Sequence, residues 1–170
     1  LIIGADGAYS TVRDKILRHG RIDFSREFIK HGYKELCIPP IKDKNGKLTW
    51  ALADHEGLHI WPRGDFMMIA LPNPDYSFTA TLFAPYKGRD GFDSVDPNDS
   101  IAINKYFQTH FPDLITKIPD LHAEFKNNPV GSLVTVRVGD WNKGKCLLIG
   151  DAAHAVVPFY GQGMNAAFED

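Results

Sequence analysis

The residues best suited to chemistry lie in one run, Gly150-Asp151-Ala152-Ala153-His154-Ala155, which continues through Pro158-Phe159-Tyr160-Gly161-Gln162-Gly163-Met164-Asn165. The apolar stretch Cys146 to Ile149 before it reads as a short buried strand, so Asp151 stands just past a strand end. An ionised carboxylate only accepts hydrogen bonds and pairs strongly with O–H donors, which suits it to ribose or ribityl hydroxyls. The glycines let backbone approach a flat or anionic ligand closely. The N–H groups that open a helix near Gly163 favour negative charge. A second constellation opens the chain. There Asp6-Gly7 follows the apolar run Leu1 to Ala5, Ser10 can cap a helix reaching about Leu17, and Arg13 offers a bidentate group for a phosphate or carboxylate. Each piece also has a plainer reading: Asp151 as a cap, Asp6-Gly7 as a turn and Arg13 as a solvated helix charge.

The elements that must position these residues fall into two kinds. Both ends carry strand, turn and helix. Between them, Tyr33 to Ile38, Leu58 to Trp61, Phe66 to Leu71 and Phe78 to Phe83 read as strands. Pro72-Asn73-Pro74-Asp75 and Asn45-Gly46 supply turn chemistry, so the middle is expected to be an antiparallel sheet built from hairpins. Residues 87 to 100 read as a surface loop, Ile101 to Phe111 as a helix, Asp113 to Ile118 as a short helix and Ser132 to Val138 as a strand. The fold class is therefore α/β with α+β character in the middle. Residues 1–24 and 139–170 are expected to form one domain, into which a sheet with helices over 25–138 is inserted.

The run Gly150 to Asn165 resembles, residue for residue, the second flavin motif of the para-hydroxybenzoate-hydroxylase-like FAD-dependent aromatic hydroxylases. Gly4-Ala5-Asp6-Gly7-Ala8-Tyr9-Ser10-Thr11-Val12-Arg13 resembles the Asp-Gly motif of the same family. The resemblance implies a Rossmann-like FAD-binding domain with a substrate-side sheet, FAD as cofactor and NADPH as co-substrate. It implies that Asp151 holds the ribityl chain, while Gly163, Met164 and Asn165 bring backbone amides to the pyrimidine end of the flavin. Pro158 and Gly161 would complete that loop, and Asp6, Gly7 and Arg13 would lie near the pyrophosphate. The middle segments His31 to Leu36, Leu58 to Arg63, Phe66 to Asn73 and Ser77 to Phe83 resemble the branch of the family that hydroxylates L-kynurenine to 3-hydroxykynurenine in tryptophan degradation. That branch implies an apolar substrate wall at Leu58, Met67, Ile69, Leu71 and Phe83, with Phe159, Tyr160 and Gln162 on the substrate side of the flavin ring. Met67, Ile69 and Leu71 alternate, so one face of a strand would present them together; plain core residues would show the same pattern. Alternative readings are a hydroxylase of another aromatic substrate and a non-catalytic flavin- or ligand-binding module of the same fold.

With 19 basic and 21 acidic residues and a net charge of -2, no block is basic enough to follow a run of phosphates, so nucleic acid is not expected as a partner. Cys37 and Cys146 sit in apolar runs without metal-ligand or redox spacing and read as buried free thiols. His55 and His59 are four apart, but Gly57 and the strand-like residues after it argue against a zinc-binding helix, and no metal is expected. The opening in mid-strand without a Met and the close inside a helix suggest an internal piece, inactive by itself. The resemblance places any membrane contact in a segment outside it: at the mitochondrial outer membrane in a eukaryote, with a cytoplasmic location in a bacterium.

Overall fold

A computed structural model describes residues 1–170. In chain order it contains β1 (Ile2–Gly4), α1 (Thr11–Arg18), β2 (Phe24–Ile38), β3 (Ile41–Lys42), β4 (Leu48–Thr49), β5 (His59–Arg63), β6 (Phe66–Pro72) and β7 (Phe78–Pro85). There follow α2 (Ser100–His110), α3 (Leu121–Asn127), β8 (Gly131–Val138), β9 (Asn142–Lys143), β10 (Cys146–Leu148), α4 (Asp151–His154) and α5 (Gly163–Phe168). The chain divides into two compact units, Leu1–Ile29 with Ser132–Asp170, and Lys30–Gly131. The expected division fell at 24/25 and 138/139. The observed one lies deeper because β2 begins near Phe24, well before the Tyr33 at which its apolar pattern becomes legible.

In the first unit, β1 runs parallel to β10 with Ile2 opposite Cys146 and Gly4 opposite Leu148, and β9 closes the other side of β10 as an antiparallel hairpin. Its small core joins Ile16 of α1, Val136 and Val138 of β8, Leu148 of β10 and the alanines 152, 153 and 155. Small residues are needed at the start of α4 because the helix begins where the strand ends and packs directly against α1. The loop expected after Gly150 is therefore a four-residue helical turn, Asp151–His154.

In the second unit, β5, β6, β7 and the later half of β2 form an antiparallel sheet in that order. Met67 pairs with Phe83 and Ile69 with Thr81 across β6 and β7, and Tyr33 pairs with Phe83 and Glu35 with Thr81 across β2 and β7. Successive side chains on a strand alternate faces. One face carries Leu36, Ile38, Phe66, Met68, Ala70, Phe78, Ala80 and Leu82, all buried, and packs against Ile103 and Phe107 from α2, Phe111 just past its end and Phe125 from α3. Cys37, expected to be buried, is exposed because it alternates to the other face, and Cys146 is only part-buried. Asp99 caps α2 by accepting from the amides of Ile101 and Ala102. α3 was not expected: only Leu121 and Phe125 mark its apolar side, too few to show a period. Its C-terminal carbonyls are met by Lys34, whose buried ammonium donates to Phe125 O at 2.8 Å and to Asn128 O, and lies 4.9 Å from the Phe125 ring centre. Burial pushes the Lys34 pKa down.

Candidate functional site

The first unit holds a cavity of about 750 Å³ whose wall includes Gly7, Asp151, Pro158, Gly161, Gly163 and Met164. Six residues separated by up to 157 positions in the sequence are thereby gathered around one space. Gly150, which opens the run, lies in the turn of the same wall, and residues that pattern reading did not single out complete it: Ala5 and Ile149 at the strand ends, and Val156, Ala167 and Phe168 around the final helix. The signal for Ala167 and Phe168 was their place four and five residues after Gly163, on the helix that the glycine opens.

Backbone geometry explains the glycines. Gly150 has φ 58° and ψ -143°, a region almost closed to L side chains, and this turns the chain sharply from β10 into α4. Gly161 ends the short 3-10 turn Pro158–Tyr160 in the left-handed region, with its N–H donating to Pro158 O at 3.0 Å. The first hydrogen bond of α5 runs from Ala166 N to Gln162 O at 2.9 Å, so the amides of Gly163, Met164 and Asn165 precede it. Asp151 is exposed at the cavity wall, and its carboxylate bonds no other group of the chain. An acceptor carboxylate at one side, unspent amides at the other and a glycine-lined turn between them fit the hydroxyls, the polar ring edge and the flat faces of a flavin.

The exposed Asn165 side chain is engaged within the loop: its Nδ2 donates to Gln162 Oε1 at 3.0 Å, and Gln162 Nε2 donates to Tyr160 O at 3.1 Å. These bonds brace the loop ahead of α5. Phe159 and Tyr160 are exposed on it, Tyr160 at 88%. His154 is held by Asp170, with Nε2 2.7 Å from Oδ1, and its ring lies 4.8 Å from Trp141. Asp170 also accepts the Gly150 N–H at 2.5 Å. The Gly150 amide, against the opposing effect of burial, and the His154 ring hold its pKa below the usual range.

Two residues of the opening motif take internal partners. The Asp6 carboxylate accepts from Ser10 Oγ at 2.5 Å, from Thr11 N at 2.7 Å and Oγ1 at 3.0 Å, and from Val12 N at 3.2 Å, while Ser10 Oγ accepts from Arg13 N at 2.9 Å. Asp6 thus caps α1 from outside its first turn. Partial burial works against its charge, but the bonds from Ser10, Val12 and Thr11 outweigh this and bring its pKa to about 2. A depressed carboxylate pKa adds stability above the ordinary range and loses it as pH falls through the folded value. Asp6→Asn is accordingly expected to lower stability at pH 7 by about 1 kcal/mol. It should also flatten the acid limb of a stability–pH curve measured by urea titration between roughly pH 4 and 2.

Arg13 corrects the expectation of a guanidinium open to phosphate. It is fully buried; Nη1 donates to Ala152 O at 3.0 Å and Nη2 to Ala8 O at 2.8 Å, and the group lies 5.0 Å from the Phe24 ring centre. Its Nε has no partner in the chain. Loss of hydration disfavours the charged form and lowers its pKa. Arg13 therefore ties the loop after Gly7 to the turn after Gly150, the two segments that line the cavity.

In the second unit, Met67, Ile69 and Leu71 share the face of β6 opposite the helices, with Ile60 and Pro62 of β5 beside them and Thr81 and Phe83 of β7 on the other side. Leu58, one residue ahead of β5, and Leu71 are about half exposed, whereas Phe83 is 4% exposed with the Tyr33 ring 6.3 Å away. The five residues expected on an apolar wall thus lie outside the helix-packed core, and the register adds Tyr33 to them. Tyr33 was missed because only strand pairing brings it beside Phe83.

The whole chain, residues 1–170, matches the family model described as FAD binding domain, and the chain belongs to that family. Its cofactor is FAD. Within it, the chain is 51% identical over 170 residues to kynurenine 3-monooxygenase of Dictyostelium discoideum, covering 99% of this chain and 35% of that protein. It is 49% identical over 173 residues to kynurenine 3-monooxygenase of Anopheles gambiae, covering 100% and 34%. The chain spans about a third of the length of these relatives. Among solved structures, it is similar to 2-methyl-3-hydroxypyridine-5-carboxylic acid oxygenase, at TM-score 0.68 and 25% identity over 98% of this chain and 42% of that one. It shares its fold with Klebsiella pneumoniae HpxO complexed with FAD and uric acid, at TM-score 0.70 and 21% identity over 99% and 40%.

Proposed function

We propose that this chain is part of an FAD-dependent, NADPH-using monooxygenase that converts L-kynurenine and O2 to 3-hydroxykynurenine and water. The single observation that carries the substrate is the open sheet face, where Met67, Ile69 and Leu71 stand clear of a core that Met68 and Ala70 already fill. Relatives of nearly half identity named kynurenine 3-monooxygenase support the same substrate. The unit Leu1–Ile29 with Ser132–Asp170 belongs to the flavin-binding part, and Lys30–Gly131 is the substrate-side insertion. Eukaryotic and bacterial relatives share the match, and no helix here is long and apolar enough to cross a membrane. An outer-mitochondrial location in a eukaryote would rest on a segment outside this chain.

A flavin held by these residues would supply the redox chemistry, with two electrons from NADPH so that one atom of O2 is inserted into a ring C–H bond and the other leaves as water. The chain's own residues bind, orient and exclude water. Asp151 accepts hydroxyl hydrogen bonds, and the amides of Gly163, Met164 and Asn165 stabilise negative charge at the polar edge of the reduced ring. Pro158 and Gly161 shape the loop, with Phe159, Tyr160 and Gln162 on its substrate side. Leu58, Met67, Ile69 and Leu71, backed by the buried Phe83, give the aromatic ring an apolar, poorly hydrated surface, which limits loss of oxidising equivalents to water. The substrate's own amine activates the ring carbon beside it, so no nucleophilic side chain or metal is required. In the full-length protein, L-kynurenine should accelerate flavin reduction by NADPH and yield 3-hydroxykynurenine. Flavin reduction indifferent to kynurenine, without that product, would remove the substrate and leave the FAD site standing.

A further inference from the structure

We propose that Glu35 is a specificity-determining residue that receives the ammonium group of an aromatic amino-acid substrate, in a cleft at the β2 side of the open sheet face. This rests on the kynurenine reading above. The cleft, of about 270 Å³, is lined by Tyr33, Glu35, Asn128, Pro129 and Gly131. Its depth depends on Gly131: a Cβ there would lie 2.3 Å from Tyr33 Cε1, so the Tyr33 ring rests where any larger residue would push it out.

Position and chemistry both single out Glu35. It pairs with Thr81, and Thr81 pairs with Ile69, so the carboxylate shares one row with the apolar wall, two strands away from it. Two strand spacings are about 10 Å; a glutamate reaching back roughly 3–4 Å leaves about 6 Å, the span from an aromatic ring to the α-nitrogen across a three-atom linker. The backbone at this point is pinned. Asn128 Nδ2 donates to Glu35 O at 2.8 Å, and Cys37 N donates to Glu124 Oε2 at 2.6 Å. The Glu35 carboxylate itself is exposed and has no hydrogen bond or ion pair in the chain. Its neighbour Lys34 offers no counter-charge, because its ammonium is buried on the opposite face against the end of α3. The cleft therefore presents an uncompensated acceptor beside an apolar wall, the complement of an apolar ring that carries a cation.

The test uses full-length wild-type and Glu35→Gln proteins loaded with FAD, titrated with L-kynurenine and with its desamino analogue, which keeps ring and carboxylate and lacks the ammonium. Binding is read from the perturbation of flavin absorbance, without turnover. Wild type should bind kynurenine at least tenfold more tightly than the analogue. Glu35→Gln should abolish that preference while binding the analogue unchanged, and Glu35→Asp should restore part of it. If Glu35→Gln weakens both ligands alike, or neither, Glu35 does not read the ammonium. A wild-type flavin that responds to neither ligand would overturn the kynurenine reading itself, and the role of Glu35 with it.

Discussion

Arg13→Met is expected to destabilise the protein by about 2–4 kcal/mol, roughly 1–2 kcal/mol for each of two buried carbonyls left without a donor. The side chain is fully buried, and its two Nη groups meet the carbonyls of Ala8 and Ala152. Methionine fills much of the volume but leaves both carbonyls without donors in a dry environment. Arg13→Lys should recover only part of the loss, because one ammonium cannot hold the planar fork that reaches two carbonyls on different segments. Urea denaturation of the full-length protein, followed by circular dichroism, measures the loss. Retention of FAD after gel filtration reports whether the two cavity segments have separated. Because the guanidinium faces inward, the loss of stability should be the same with and without NADPH. A fall confined to NADPH affinity, with stability intact, would place the guanidinium on the phosphate instead.

Gly150→Ala should weaken FAD binding tenfold or more. At φ 58° and ψ -143°, an alanine carries a backbone strain of roughly 1–3 kcal/mol. Its Cβ would also stand 3.3 Å from the Ala167 Cβ on α5, tight enough that the helix must give way by some tenths of an ångström. The chain has two ways to relieve this, and both damage the cavity: turning the peptide before Asp151 moves the carboxylate, and shifting α5 moves the amides of Gly163 and Met164. Fluorescence titration of the apoprotein with FAD separates this from simple unfolding, provided that far-ultraviolet circular dichroism stays native. An unchanged dissociation constant would show that the turn can relax without disturbing the ligand.

Much of this arrangement could be read from residue types. Ser10 ahead of Val12 and Ile16 announced a capped helix, Asn45-Gly46 the separate two-stranded hairpin of β3 and β4, and Pro72 to Asp75 the hairpin of β6 and β7 in the main sheet. The spacing of Gly150, Asp151, Gly161 and Gly163 marked a strand-turn-helix cradle, because only backbone free of side chains admits a flat ligand there. These are local signals: each depends on a few adjacent residues whose conformational preferences do not wait for the rest of the chain.

What remained hidden depends on partners distant in sequence. Met67 to Leu71 is apolar throughout, so alternation defines two faces but does not say which is core. That was decided when α2 and α3 packed on Met68 and Ala70 and left Met67 and Ile69 part-buried and Leu71 exposed on the other face. Arg13 looked like an exposed helix charge until Ala152, 139 residues later, brought a carbonyl within reach of its guanidinium. Asp6 likewise spends its carboxylate on the helix it precedes. Lys34 sits among strand residues that say nothing of the α3 carbonyls it meets. Local turns, caps and alternation, together with the glycine cradle, follow from short stretches of adjacent residues. Tertiary structure decided which polar groups are consumed by the fold and which stay open to a ligand, because a buried donor or carbonyl must find a partner and only the packed chain supplies it.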